Sequence, residues 1–321
     1  SNDNLFSSSI PSLNTSSISW FIVSQTSATG LQVLFRSNYS SGSGTASQSA
    51  QLLGLYSSQS GGVVQYVRAS NGALKGNTSS FSSSPHIHSS TWANSLFSSY
   101  IDNTLESSIS TGSVSPSGHN LICVGANSAD PSINYLSYSG EVAEFIMFNI
   151  SINSAQKNII HNYLSSKYNI PISDDKYSYD ANYGNELSGI GREDINNQQL
   201  DSKGRGIIQF QAASLDNSDY FFWGHDNGNL TSSSTGIPPT FPSSTGKILE
   251  RVWRVSETGE SGDLTLTVDL TGIGFGAEND YKLLIDSDGD FSSGATEIDG
   301  VYNSDLVVFN ILSNQISDGD Y

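Results

Sequence analysis

Hydrophobic and polar residues alternate in short runs along most of this chain. Apolar or alternating stretches at 17–23 (SISWFIV), 31–36 (LQVLFR), 50–56, 62–69, 95–102 and 119–126 are separated by Ser, Gly and Asn. Period-two alternation places successive side chains on opposite faces of a strand, so evenly spaced runs bounded by turn residues predict an antiparallel sandwich or jelly roll. A second series at 204–213, 219–228, 248–259, 262–270, 281–290 and 305–311 predicts a second β-sandwich of immunoglobulin-like size.

One stretch, GEVAEFIMFNISINSAQKNIIHNYLSSKYNI at 140–170, breaks the pattern. Its first part alternates as a strand, with Val142 and Glu144 on one face and Glu141, Ala143, Phe145 and Met147 on the other. Its second part has helical spacing. Asn153 suits an N-cap, Gln156 completes a capping box, and Ile159, Ile160, Tyr163, Leu164 and Tyr168 recur at three- and four-residue intervals. Pro171 ends the segment. The expectation is a helix laid on the first sandwich and a domain boundary near 172, giving domains 1–172 and 173–321.

Composition narrows the possible partners. The chain has 31 acidic and 13 basic residues among 321, a formal charge of −18; such a surface repels phosphate backbones, which argues against nucleic-acid binding. No apolar run reaches the roughly 18 residues of a membrane span, so membrane insertion is not expected, and no signal peptide is recognisable. The opening SNDNLFSSS reads as a chain already processed. The single cysteine, Cys123, rules out an internal disulfide, and its setting in NLICVG suits a buried core thiol.

The 140–170 stretch resembles the closing strand and C-terminal helix of laminin-G-like, concanavalin-A-like jelly-roll domains, whose pattern is Gly-x-hydrophobic-x-Glu, an apolar strand, a short helix and Tyr-Leu-x-x-Lys-Tyr. SYIDNTLESSI (99–109) and LICVGAN (121–127) resemble the same family's neighbouring strands. The words GIGRED, FFWGHDNG, RVWRVSETG and LLIDSDGDFSSGATEI resemble a module that often follows such domains in large secreted surface proteins of Bacteroidota and related marine bacteria. The resemblance implies a secreted or cell-surface adhesin fragment that binds an extracellular glycan or protein and contacts neighbouring modules of the same protein. It also implies a further strand after the final ISDGDY, and hence a fragment of something longer.

Candidate chemistry is sparse. In DSDGDFSSGATE, Asp286, Asp288 and Asp290 occupy positions one, three and five, with Glu297 at twelve; this is the oxygen-ligand spacing of a calcium loop, except that Phe291 stands where Gly makes the turn. The alternative is a polar turn whose aspartates accept backbone hydrogen bonds. Trp223, in YFFWGHD, is a candidate for stacking on a sugar, although strand alternation favours burial. Asp102 and Asn103 in YIDN read as a turn, at the place where jelly rolls present ligand-binding loops. His86 and His88 share a strand face at a spacing able to hold zinc or copper, but no third ligand is near in sequence, so a surface role is favoured.

An enzyme is not expected. The paired carboxylates of a glycosidase must converge on one bond, whereas Glu141 and Glu144 are expected to diverge, and the hydrolase strand Glu-x-Asp-x-(x)-Glu does not occur. A non-catalytic adhesin module leads, a ligand-free structural repeat of a surface fibre or filament comes second, and a glycoside hydrolase or lyase is a distant third.

Overall fold

The computed structural model describes residues 5–6, 17–28, 30, 32–39, 53–57, 62–68, 74–80, 83–111, 119–126, 137–242, 245–275 and 280–321. The chain divides into two units, Ser1–Ile152 and Asn153–Tyr321. Both are built on antiparallel sheets.

The described strands of unit 1 are β1 (Leu5–Phe6), β2 (Ser17–Gln25), β3 (Gln32–Tyr39), β4 (Leu53–Ser57), β5 (Gly62–Arg68), β6 (Leu74–Ser80), β7 (His86–Ala93), β8 (Leu96–Ile101), β9 (Thr104–Ser110), β10 (His119–Val124) and β11 (Glu141–Phe148). They form two sheets, ordered β1-β10-β3-β4-β5-β6 and β11-β2-β7-β8-β9. Because the chain repeatedly crosses from one sheet to the other, the result is a jelly-roll sandwich. Its apolar core joins Ile18, Trp20 and Ile22 of β2 to Leu34 and Phe35 of β3 and to Trp92 and Phe97. The Trp20 and Phe35 rings meet edge to face across the gap at 4.7 Å, a favoured aromatic arrangement.

Strand β11 corrects the reading of its own pattern. Its register to β2 shifts between Val142 and Glu144, leaving Ala143 as the extra residue of a bulge. The bulge resets the alternation, so Val142, Phe145 and Met147 all pack on the core. Glu141 then pairs with Gln25 and Glu144 with Val23. These partners are two residues apart, so the two glutamates share one face of the sheet instead of diverging.

Unit 2 opens with helix α1 (Ser154–Tyr168) and the one-turn α2 (Asp180–Tyr183), followed by β12 (Asn185–Asp194), β13 (Asn197–Gln199), β14 (Asp201–Lys203), β15 (Ile208–Ala212), β16 (Tyr220–His225), β17 (Ser232–Ser233), β18 (Ile248–Leu249), β19 (Trp253–Thr258), β20 (Leu264–Asp269), β21 (Lys282–Ile285), β22 (Thr296–Asp299), β23 (Val301–Asn303) and β24 (Leu306–Ile311). The main sheets are β13-β12-β16-β19 and β14-β15-β20-β24-β23, with small pairs β17-β18 and β21-β22.

The predicted cap of α1 is present: the Gln156 N–H donates to Asn153 Oδ1 at 2.9 Å and the Asn153 N–H donates to Gln156 Oε1 at 3.1 Å. Asn169 ends the helix in the left-handed region, φ 52°, two residues before Pro171. The helix is nevertheless part of unit 2, which moves the boundary from the expected 172 to 152/153. The run Tyr220-Phe221-Phe222-Trp223 supplies the physical reason. Phe221 and Trp223 face the second sheet and meet Phe210 at 5.0 and 4.8 Å. Tyr220 and Phe222 project from the opposite face and are buried with Ala155 and Ile159 of α1. A sheet apolar on both faces needs a cover on each, and α1 is the third layer.

The glycines of the word GIGRED serve the same layer. Gly189 and Gly191 pair with Phe222 and Tyr220, whose rings are stacked at 6.0 Å and 12°. A Cβ on Gly189 would stand 2.6 Å from the Phe222 ring, so only glycine leaves room for the rings to lie over β12. The buried face of α1 is also more polar than its expected stripe. Asn158, His161, Asn162 and Ser165 are buried along with Ala155, Ile159 and Leu164, whereas Ile160, Tyr163 and Tyr168 are only half-buried. Asn158 is accommodated because its Nδ2 donates to Glu193 Oε1 at 2.8 Å and to the Tyr220 hydroxyl at 3.1 Å.

Candidate functional site

The hairpin end of the first sandwich brings together chemistry that lies scattered along the sequence. Strands β7, β8 and β9 are joined by two-residue turns, Asn94-Ser95 and Asp102-Asn103, with positive φ at both residues of each (49° and 65°; 48° and 64°). These are the values of type I′ hairpins, and short Asn and Asp side chains tolerate them. The turn fixes Asp102 beside the start of β7, where its N–H donates to the Ile87 carbonyl at 2.9 Å.

There the Asp102 carboxylate is used twice. Oδ1 accepts the Ile87 N–H at 2.8 Å, and Oδ2 lies 2.6 Å from His86 Nδ1. The hydrogen bond from Asp102 raises the His86 pKa against the opposing effect of burial. His86 is half-buried, and Asp102 fixes its ring through the Nδ1 contact. Asn103 is buried in the same turn.

His88, two residues along the same face, is 5% exposed. Burial pushes its pKa down to about 4, helped by the neighbouring His86 and opposed by Asp102. Its Nδ1 has no hydrogen-bond partner, and the same is true of Ser99 Oγ and Trp92 Nε1. Register places all three side chains on the face that meets the other sheet: His88 pairs with Ile22, Ser99 with Ser90, and Trp92 with Ile18. From the facing sheet Gln65 bridges the gap, accepting from Ser90 Oγ at 2.7 Å and donating to the Tyr100 carbonyl at 2.9 Å.

The residues singled out in the second sandwich are placed differently. Trp223 is 2% exposed and belongs to the core, so the sugar-stacking candidate is set aside and the burial favoured by strand alternation is what the structure shows. In the 286–297 loop, Asp286 Oδ1 accepts the N–H groups of Asp288 and Gly289 at 2.9 and 2.8 Å. Asp288 Oδ1 accepts the Asp290 N–H at 2.9 Å, and Asp290 Oδ1 accepts the Ser292 N–H at 3.1 Å. Burial pushes the Asp286 carboxyl up, but the Asp288 and Gly289 donors prevail and hold it below the usual carboxylate range.

Glu297 instead lies 3.5 Å from Lys282 Nζ and accepts from the Thr240 hydroxyl. Among the described residues no three His, Cys, Asp or Glu side chains are grouped to hold a metal. The loop is a series of Asx turns.

Sequence reading missed the His86–Asp102 contact. Its two partial signals, HIH and the turn IDN, are 16 residues apart, and only the β7–β8 register shows that they meet. The Gln65 bridge, made between sheets, leaves no local signal at all.

A family model described as "Domain of unknown function (DUF8202)" matches residues 149–320, more than half of the 321. The chain belongs to this family. The DUF8202 match begins close to Asn153, where unit 2 begins. No curated protein matches the chain. Among solved structures, the native heptameric SAP-like pentraxin from Limulus polyphemus is similar at TM-score 0.37 and 9% identity, over 46% of this chain and 70% of that one. The Ruminococcus gnavus IT-sialidase CBM40 bound to α2,3 sialyllactose is similar at 0.38 and 12%, over 45% and 81%. Trypanosoma rangeli sialidase is similar at 0.33 and 17%, over 44% of this chain but only 21% of that enzyme. Likeness at such identities concerns the fold and assigns no ligand.

Proposed function

We propose that this protein is a non-catalytic extracellular surface module of adhesin type, which binds a glycan or a protein through the hairpin end of its first sandwich. The observation that carries the reading is the His86–Asp102 pair: a half-buried donor-acceptor group held by a left-handed turn at the end of a jelly roll. A side chain already fixed in place loses little entropy when it meets a ligand. The charge of −18 favours neutral or cationic partners over nucleic acid. A second reading, a repeat of a surface fibre, draws support from Val301, which is 67% exposed on edge strand β23; such an edge suits pairing with a neighbouring module.

The test is binding of the whole chain to immobilised extracellular glycans and matrix proteins, beside His86→Ala. Saturable binding that the substitution abolishes supports the reading, and absence of binding to every member of both sets removes it. Because the β11 bulge puts Glu141 and Glu144 on one face, the same polysaccharides should also be assayed for cleavage. Cleavage lost in Glu144→Gln would replace the adhesin by an enzyme.

A further inference from the structure

We infer that His86 and His88 form a binding site for a divalent transition-metal ion of the imidazole-preferring class, zinc or copper, with Asp102 as its positioning residue. The two rings project from one face of β7, with centres 6.0 Å apart and planes inclined by 56°. Two imidazoles on one ion hold ring centres roughly 5–6 Å apart, given metal–nitrogen distances of about 2.0–2.1 Å. A tetrahedral ion sets the centres at about 5 Å, so turning the two rings about their side-chain bonds has to close about 1 Å of the observed separation.

Asp102 makes the first ring a ligand. A carboxylate only accepts, so the 2.6 Å contact places the hydrogen of a neutral His86 on Nδ1 and leaves the lone pair on Nε2. This carboxylate–imidazole pairing is how metal-binding histidines are commonly oriented and made more basic. The carboxylate is itself held by the Ile87 N–H and by the φ values of its turn.

The second ring carries an independent observation. His88 is nineteen-twentieths buried and its Nδ1 has no partner, whereas buried polar atoms in native folds are nearly always paired with protein, water or an ion. Nitrogen donors suit zinc, copper and nickel, not calcium or magnesium. No third His, Cys, Asp or Glu joins the pair among the described residues. Water or a ligand oxygen would complete the coordination sphere, so the site is open rather than purely structural.

Isothermal titration of the whole chain with zinc chloride near neutral pH, without any glycan, reads this inference separately from the adhesive role. One equivalent of zinc should bind, and calcium should not compete for it. His86→Ala should abolish uptake, and Asp102→Asn should weaken it by about 10–100-fold. In Asp102→Asn the amide donates to Nδ1 and moves the ring hydrogen to Nε2, and the nitrogen chemical shifts of His86 should register that tautomer change, which a merely structural loss would not produce. Two results would overturn the inference: no zinc uptake by the wild type, leaving the His88 nitrogen to ordered water, or uptake that persists in His86→Ala with its circular dichroism unchanged.

Discussion

Between the sheets of unit 1, His88 Nδ1, Ser99 Oγ and Trp92 Nε1 are buried without partners, whereas beside helix α1 in unit 2 Asn158, Glu193 and Tyr220 are cross-linked. There the Tyr220 hydroxyl donates to Glu193 at 2.6 Å, Asn158 reaches both of them, and Lys176 pairs with Asp174 at 2.9 Å while lying over the Tyr220 ring. A fully satisfied network adds rigidity, while a half-satisfied one stays costly until something completes it. The second unit therefore uses its buried polarity to hold a layer in place, and these three atoms of the first unit hold nothing. Arg254 extends the contrast: its guanidinium lies 3.8 Å from the Tyr179 ring centre and 4.5 Å from that of Tyr321, tying the last residue to the sheet.

The sharpest way to break this comparison is to remove core volume from unit 2. Trp223→Ala should cost about 3–5 kcal/mol, read as a shift in the urea midpoint of the transition assigned to unit 2; a shift below a third of that would mean the aromatic layer is not its core. Gly191→Ala should cost about 1–3 kcal/mol by overpacking against Tyr220, and native-like stability in this variant would show that the rings can move aside. Asp286→Ala should lose about 1–2 kcal/mol with its backbone hydrogen bonds, equally with calcium and with chelator. A melting temperature that rises with calcium in the wild type but not in Asp288→Ala would instead make this loop the ion site expected from its spacing.

Lys157 offers a pH test of the same network. Burial lowers its pKa to about 8, against the opposing pull of Asp174 and Glu193. The folded pKa lies below the unfolded value of 10.5, so between the two the unfolded chain holds more protons and stability rises with pH. Urea midpoints should climb from neutrality toward that upper limit, and the slope should flatten in Lys157→Met; an unchanged slope would remove Lys157 from the explanation. The smallest effect belongs to unit 1, where Ser99→Ala should change stability by less than about 1 kcal/mol, because an unpaired hydroxyl loses no partner when it is removed.

The longer apolar strands were legible, because period-two alternation is a property of the chain itself, whereas β6, β12 and the short strands β13, β14, β22 and β23 lie outside every run that the pattern marks. The capping box at Asn153 and Gln156 was legible for the same reason, since its two hydrogen bonds join residues three apart. β12, one of the two inner strands of its sheet, escaped notice because the residues that make room for Tyr220 and Phe222 are glycines, which add nothing to an apolar count. The bulge at Ala143 was also invisible, and with it the shared face of Glu141 and Glu144, since a one-residue offset exists only relative to a partner strand.

Local pattern and composition alone make this an antiparallel β protein with one capped helix, strongly acidic and without the apolar run of a helical membrane span. All of these follow from local spacing or simple composition. Pairing across the fold set which unit the helix covers, that the aspartates of 286–290 turn back on their own loop, and that Asp102 meets His86. Each depends on pairing between residues far apart in the chain, where the gain in burial or hydrogen bonding is set by register and layer packing and leaves no local periodicity to read.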